Sequence, residues 1–229
     1  MSDQNITEYY QGSEGDAYFR ARDQATIRTL GHRLQAEFFR SHLSFGDQVL
    51  DFGCGNGSMA SILSEDVARV DGIEVNVHPR SIAREMLGLT VYERIDALPS
   101  NQSYDVIYAN HVLEHLPAPS QALRALRPHL RPDGTLLIMV PHEDIRTARN
   151  RDWQTPDDNK HLHSWTPLQL ANTLRLAGFE PLDVRVVTSA WTPHAFFLGS
   201  GLAQKLFGTV FAHLKRRRQV FAVARVSAS

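Results

Sequence analysis

The sequence predicts an α/β fold with a largely parallel sheet and helices on both faces. Three observations carry this. From residue 49 onward, short apolar runs alternate with stretches of helical spacing. The run VLDFGCGNGSMASIL (49–63) joins a strand to a helix through three glycines on alternate residues, Gly53, Gly55 and Gly57. RPDG (131–134) is a turn signal directly before the apolar run GTLLIMV.

Taken in order, residues 1–23 are polar with aromatic insertions (Tyr9, Tyr10, Tyr18, Phe19), and Gly12 and Gly15 interrupt any helix there. Over 24–42, Ile27, Leu30, Leu34 and Phe38 recur at helical spacing, which predicts an amphipathic helix. Strand-like runs follow at 48–52, 69–74, 89–94, 104–109 and 134–140, with helical stretches at 57–65, 79–87 and 119–130. The polar segment 141–165 has no clear periodicity, and segments of that length are usually functional or disordered. Thr166 and Pro167 open a helix as N-cap and first helical residue, and Gly178 stops it. Strands at 181–188 and 219–226 close the chain.

Composition sets bounds. A chain of 229 residues fits one domain with a sizeable core, and the formal net charge of −1 offers no global field for nucleic acid. A single cysteine, Cys54, excludes an internal disulfide and fits a reducing, cytoplasmic compartment; it reads as a small buried filler rather than a nucleophile. The start, MSDQNITEYY, has no signal-peptide pattern, and no apolar run reaches the length of a membrane span.

The glycine segment carries the first chemical inference. Glycine lacks a Cβ, so the main chain can take positive φ and a ligand can lie against it. That geometry suits a nucleotide-like cofactor at the carboxyl edge of a parallel sheet. Glu74, at the end of the second strand, stands where a ribose diol is gripped.

Five segments, in this order and spacing, resemble the class I S-adenosylmethionine-dependent methyltransferases of the small-molecule type: DFGCGNG, GIEVN, RIDALP, YDVIYANHVLEHLPAP and LRPHLRPDGTLLIMVP. HLHSWTPLQLANTLRLAGFE is similar to a later segment of that family. The resemblance covers roughly residues 45–190 and the final strand. It implies a Rossmann-like three-layer sandwich whose seven-stranded, mostly parallel sheet has an antiparallel last strand. The rival dinucleotide fingerprint, G-x-G-x-x-G, fails because its third glycine place is Ser58. The organisation implied is an N-terminal helical lid over 1–44 and a cofactor-binding core over 45–229, with a substrate loop at 141–165 and an amphipathic insertion at 191–218.

The resemblance also assigns roles. S-adenosylmethionine is the cofactor and S-adenosylhomocysteine the product. Asp51 accepts from the cofactor's ammonium or a bound water, while Gly53 and Gly55 let the main chain pass beside the methionine portion. Glu74 takes the ribose hydroxyls, Asp96 the adenine amino group, and Ala97 presents its backbone amide nearby. Asn110 and His111 follow the fourth strand and fall at the reactive end. A hydroxyl acceptor needs a base, and His111 and His142 are the best placed of eleven histidines, with Glu143 weaker. Glu114 and His115 read as structural groups at a helix start. Tyr18 and Arg20, with Tyr9 and Tyr10, suit a lid, Tyr18 facing the sulfonium and Arg20 the methionine carboxylate.

His161 and His163 invite a metal reading, but two ligands do not make a site. Asp152, Asp157 and Asp158 have no ligand spacing, so no metal is assigned.

Over 202–218 the apolar positions recur at three- and four-residue steps and end in Lys215-Arg216-Arg217-Arg218. That pattern suits packing on the sheet edge, a homodimer contact or substrate-pocket wall, or a peripheral membrane contact, the last of which fits a lipid-linked acceptor. The acceptor expected is a small molecule or glycan, not nucleic acid. The Asn/Asp-Pro-Pro-aromatic motif of amino-directed DNA methylases is absent after the fourth strand. The alternatives are a cofactor-binding protein without catalysis and, further off, a dinucleotide oxidoreductase.

Overall fold

The computed structural model describes residues 12, 15–17, 25–143, 160–188, 206, 210 and 218–227. Its strands are β1 (Gln48–Phe52), β2 (Arg69–Ile73), β3 (Thr90–Tyr92), β4 (Tyr104–Asn110), β5 (Leu130–Pro141), β6 (Phe179–Thr188) and β7 (Arg218–Val226). They form one sheet in the order β3-β2-β1-β4-β5-β7-β6. Neighbours run parallel except β7, which is antiparallel to both β5 and β6, as the family resemblance implied. The strand order reverses between β1 and β4, and in open α/β sheets ligands bind outside the carboxyl ends at such a point.

Among the described residues the α-helices against the sheet are α1 (Ala25–Arg40), α2 (Ser58–Leu63), α3 (Val77–Leu87), α4 (Pro119–Leu126) and α5 (Pro167–Leu176). Strand periodicity decides which face each side chain joins. On one face Leu50, Ile107, Leu136 and Ile138 pack with Leu123 and Leu126 of α4 and Leu170 and Leu174 of α5. On the other, Val49, Val106, Tyr108, Leu137 and Met139 pack with Ala36 and Phe39 of α1 and Met59 and Leu63 of α2. Each such fully buried aliphatic side chain contributes roughly 1.5–3 kcal/mol. No described helix is long and apolar enough to cross a membrane.

Three expectations need correction. Helix α1 buries Gln35, Ala36 and Phe39, while Leu34 and Phe38 are half-buried, so its inner face is turned by about one residue from the stripe read in the sequence. Phe39 lies 5.1 Å from Tyr108 and edge-on to Phe221 at 5.7 Å. Through Ala36 and Phe39 this helix packs against one face of the sheet. The stretch 119–130 is not one helix: α4 ends at Leu126 and a 3₁₀ turn, Arg127–His129, follows. Pro128 has no N–H to continue the ladder. RPDG is not a turn before β5 but a bulge within it. Leu130 pairs with Tyr104 and Thr135 with Val106, so the residues between are looped out. Asp105 holds the bulge by accepting from Arg131 and from the Gln48 N–H at 2.8 Å.

The start of α5 is as expected. Thr166 Oγ1 accepts from Gln169 N–H, Gln169 Oε1 accepts from Thr166 N–H, and Gly178 follows the helix at φ 84°.

Candidate active site

The loop after β1 owes its shape to two constraints. Gly53, Gly55 and Gly57 all have positive φ (81°, 55° and 78°), which any Cβ would strain. At Gly53 the Cβ position is already taken by the Val112 side chain, so this glycine serves close packing of the β1 and β4 loops. The Gly53 and Cys54 N–H groups both donate to Ile73 O at 2.9 Å, fixing the loop on β2. Cys54 is buried against Gly72, and burial pushes its thiol well up, which suits a packing residue.

Two acids stand at this edge. Asp51, one residue before the end of β1, is buried at 2% exposure, and Tyr108 Oη donates to its Oδ2 at 2.6 Å. Burial pushes its carboxyl up to about 7; the Tyr108 bond opposes this and the nearby Glu74 charge adds to it. Glu74, at 6% exposure, joins the glycine loop to the end of β2. Its Oε2 accepts from Gly55 N–H at 2.9 Å and its Oε1 from Asn76 N–H at 2.8 Å. Burial raises the Glu74 carboxyl, against those two backbone donors and Arg80. Arg80 also donates to the Glu74 backbone oxygen at 2.7 Å.

The β4 end holds the second half of the edge. Asn110 Nδ2 donates to Gln35 Oε1 at 3.0 Å, and Asn110 Oδ1 is buried without a hydrogen-bond partner. His111 adopts φ 58°, a left-handed conformation unusual for a non-glycine residue and a feature that clusters at functional sites. Its backbone N–H is held by Met139 O at 2.8 Å. The imidazole Nδ1 lies 3.2 Å from Glu114 Oε1, while Nε2 meets Gln219 Nε2 at 2.7 Å and Gln35 Nε2 at 3.3 Å. With amide donors on Nε2, Nδ1 carries the proton and donates to Glu114. Burial pushes the Glu114 carboxyl up, but the His111 bond and the His111 and His115 rings outweigh it and hold the acid below its usual range.

The arrangement departs from the expected roles in one respect and extends them in another. Glu114 and His115 lie in a 3₁₀ turn, Leu113–His115, ahead of α4, so they are not groups at that helix's start. Glu114 instead orients His111. Gln35 and Gln219 escaped the sequence reading. Gln35 left one trace, a polar residue within the apolar part of α1; Gln219 left none, since a lone amide in a strand has no spacing signature.

Other candidates are placed apart from these contacts. Asp96 is exposed and forms a two-point pair with Arg94 at 3.0 and 3.1 Å. The Ala97 N–H closes a 3₁₀ turn onto Arg94 O at 3.1 Å. His142 lies just past β5; its N–H donates to Arg218 O at 3.1 Å and it bridges to Trp165. His142 and Gln219 therefore flank the same end of β7. Glu143 accepts from the Ser164 hydroxyl. His163 Nε2 meets Leu116 O at 2.8 Å, whereas the His161 ring lies 5.0 Å from that of His115. Tyr9, Tyr10, Tyr18, Arg20, Asp152, Asp157, Asp158 and, apart from Leu206, Val210 and Arg218, the 191–218 insertion lie outside the described residues.

The edge is rich in acceptors: the Asp51 and Glu74 carboxylates and the unpartnered Asn110 carbonyl. That set suits a ligand presenting hydroxyls and an ammonium, as S-adenosylmethionine does.

Comparison with known proteins agrees. The model of a methyltransferase domain matches residues 19–184. The ubiquinone biosynthesis O-methyltransferase of Actinobacillus pleuropneumoniae serotype 7 is 36% identical over 114 residues, covering 44% of this chain and 49% of that protein. The chain thus spans about half the length of the curated relatives it matches. Among solved structures, the 1,6-didemethyltoxoflavin-N1-methyltransferase of Burkholderia thailandensis, with bound 1,6-didemethyltoxoflavin and S-adenosylhomocysteine, superposes with a TM-score of 0.63 at 20% identity, covering 99% of this chain and 87% of that one. A methyltransferase bound to the Haloferax volcanii activator Trm112 gives 0.67 at 18% identity, covering 98% of each chain. At these identities the structural likeness speaks for the fold. The family match spans most of the sequence and includes the glycine loop, Glu74 and the His111–Glu114 pair, so the chain belongs to the methyltransferase-domain family, among the class I S-adenosylmethionine-dependent methyltransferases.

Proposed function

We propose that this chain transfers a methyl group from S-adenosylmethionine to a small-molecule acceptor, with His111 as the base when the acceptor is a hydroxyl. The carrying observation is the His111 imidazole, oriented by buried Glu114, at the β4 end of the same switch point where Glu74 grips the glycine loop. When bound, the cofactor supplies an electrophilic methyl on a sulfonium. Glu74 holds the ribose hydroxyls through the remaining lone pairs of its two oxygens, and Asp51 stands toward the ammonium. Gly53 and Gly55 carry the main chain past the methionine portion, and Asn110 lines the reactive end. Asp96 and Ala97 serve the adenine once the Arg94 pair opens. Tyr18 and Arg20 close over the site.

Glu114 fixes the Nδ1–H tautomer of His111, leaving the Nε2 lone pair for the acceptor proton. Gln219 and Gln35 now donate to that nitrogen, and an acceptor hydroxyl takes the place of one of them. His142 is the second base candidate. In-line approach of the acceptor and exclusion of water supply the rest of the rate.

The relatives' names favour an oxygen acceptor, since several are ubiquinone biosynthesis O-methyltransferases. A glycan or lipid-linked acceptor, with contact to an anionic membrane through 202–218, is the finer reading. Its support is the apolar spacing that ends in Lys215-Arg216-Arg217-Arg218. A homodimer through the same insertion and a cytoplasmic location complete it. Flotation with anionic vesicles tests the membrane part; failure to float removes it.

Calorimetry with S-adenosylmethionine tests the core of the proposal. Wild type binds, and Glu74→Ala weakens binding by about 100-fold, the worth of two hydrogen bonds to a charged group. Because Glu74 also holds Gly55, Glu74→Gln and a thermal melt separate lost contact from a loosened loop. Unchanged affinity in both variants contradicts the assignment. On a panel of phenol, amine and sugar acceptors, His111→Ala lowers turnover by 10²–10⁴-fold while leaving cofactor affinity within threefold. If His111→Ala and His142→Ala both keep full turnover, neither is the base.

A further inference from the structure

The expected use of Glu114 accounts for one of its two oxygens. Oε1 faces His111 Nδ1, but Oε2 is buried with no hydrogen-bond partner, in a side chain that is fully inaccessible. A buried carboxylate oxygen without a donor is costly, and native structures rarely keep one without cause.

Two imidazoles converge on the same acid. His115 follows Glu114 in the 3₁₀ turn, and His161 arrives from the far side of the 144–159 segment. One ligand atom from each of Glu114, His115 and His161 lies within 4.8 Å of the others. The segment is fastened there by its backbone: the Leu162 and His163 N–H groups both donate to Glu114 O, at 2.8 and 3.3 Å. Lys160, immediately before it, takes φ 53°, a second non-glycine residue in the left-handed region. His163 is spent on Leu116 O, so of the H-x-H pair it is His161 that faces the acid.

We infer that Glu114, His115 and His161 form a binding site for a divalent transition-metal ion of the zinc class, which clamps the 160–165 segment onto the Leu113–His115 turn. Two imidazole nitrogens and one carboxylate oxygen are a zinc-type donor set that leaves a fourth position open. Magnesium and calcium prefer oxygens throughout. At bond lengths of about 2.0–2.2 Å, ligand atoms in a tetrahedron lie about 3.4 Å apart, so modest rotation of the His115 and His161 rings closes the site. His115 Nε2 lies 4.0 Å from Glu114 Oε1, and an ion taken by either carboxylate oxygen gives the acid a second partner beside His111. The Lys160 carbonyl beside His115 is the kind of outer partner that orients a ligating imidazole.

The site is tested on the full chain without cofactor or acceptor, so its failure is distinct from failure of the methyl-transfer proposal. The protein is stripped with a chelator and titrated with zinc sulfate by competition calorimetry, and separately with cobalt chloride by visible absorption. Wild type takes up one equivalent, and cobalt gives a visible band. His161→Ala weakens zinc binding at least 50-fold and abolishes the band. His163→Ala changes affinity by less than threefold. Circular dichroism verifies folding, and His161→Gln replaces the alanine variant if that one does not fold. Absence of stoichiometric uptake by wild type overturns the inference, as does equal affinity in wild type and the His161 variant.

Discussion

Two buried aspartate–tyrosine pairs tie β4 to the strands on its β1 side, one to adjacent β1 and one past β1 to β2, and they differ in how the acid's charge is met. Asp71 on β2 accepts from Tyr104 Oη at 2.9 Å and is also paired with Arg69 at 2.7 Å. Asp51 on β1 accepts from Tyr108 Oη at 2.6 Å, and among the described residues no arginine or lysine pairs with it. Both acids are almost fully inaccessible, at 1% and 2% exposure. The first pair is closed: the guanidinium compensates the charge inside the protein. The second sits beside the glycine loop with its charge uncompensated, and burial drives the carboxyl up to about 7. Equal chemistry thus yields a structural pair at one site and, at the switch point, an acid suited to a cationic ligand group.

The largest expected effect exposes that difference through pH. Asp51 ionises near 3.8 in the unfolded chain and at about 7 in the native state. Its contribution to stability is therefore fully present below about pH 4 and is lost as pH rises through 7. The interval is worth about 4 kcal/mol at 1.4 kcal/mol per tenfold. Urea unfolding at pH 4.5 and pH 8 detects about 3 kcal/mol of it. Asp51→Asn removes that part of the slope; an unchanged slope in the variant denies Asp51 the raised value. With S-adenosylmethionine present, wild type releases a proton on binding at pH 6.5, read from calorimetry in buffers of different ionisation heat. Asp51→Asn does not.

Opening the closed pair comes next. Arg69→Met leaves Asp71 buried beside Tyr104 alone and costs about 2 kcal/mol, less than the full figure for a broken buried pair because Arg69 is 44% exposed. No loss of stability would show that Asp71 does not need its cation.

The smallest effect compares the two hydroxyls. Tyr104→Phe removes one of several donors to Asp71 and costs about 1 kcal/mol, whereas Tyr108→Phe at pH 8 costs about 1 kcal/mol more because ionised Asp51 depends on it. The gap narrows at pH 5, where Asp51 is protonated. Equal costs at both pH values would erase the distinction between the pairs.

Much of the site was legible because it depends on local chemistry. Glycines on alternate residues after a strand announce positive φ, and Gly53, Gly55 and Gly57 all have it. The acid at the end of the second strand was read as a partner for a ribose diol, whereas its bond to the Gly55 N–H is a contact that the folded chain revealed. What stayed hidden depends on residues far apart in the chain. Gln35 and Gln219 meet His111 across 76 and 108 residues, and an amide carries no motif. His161 looked like half of a pair with His163 because sequence spacing records neighbours, whereas backbone bonds to Glu114 divide the two. Asp96 is paired with Arg94 for a local reason the motif does not reveal, the two-residue spacing that lets an exposed guanidinium bridge a turn.

By itself the sequence determined the order of strands and helices and the glycine loop, since alternation, capping residues and turn chemistry act over a few residues; the antiparallel last strand followed from the family resemblance. The tertiary structure alone decided which face α1 buries, that RPDG is a bulge, which aspartate keeps an uncompensated charge and which histidine Glu114 orients. Those outcomes depend on register and on desolvation by side chains distant in sequence, and no local pattern encodes either.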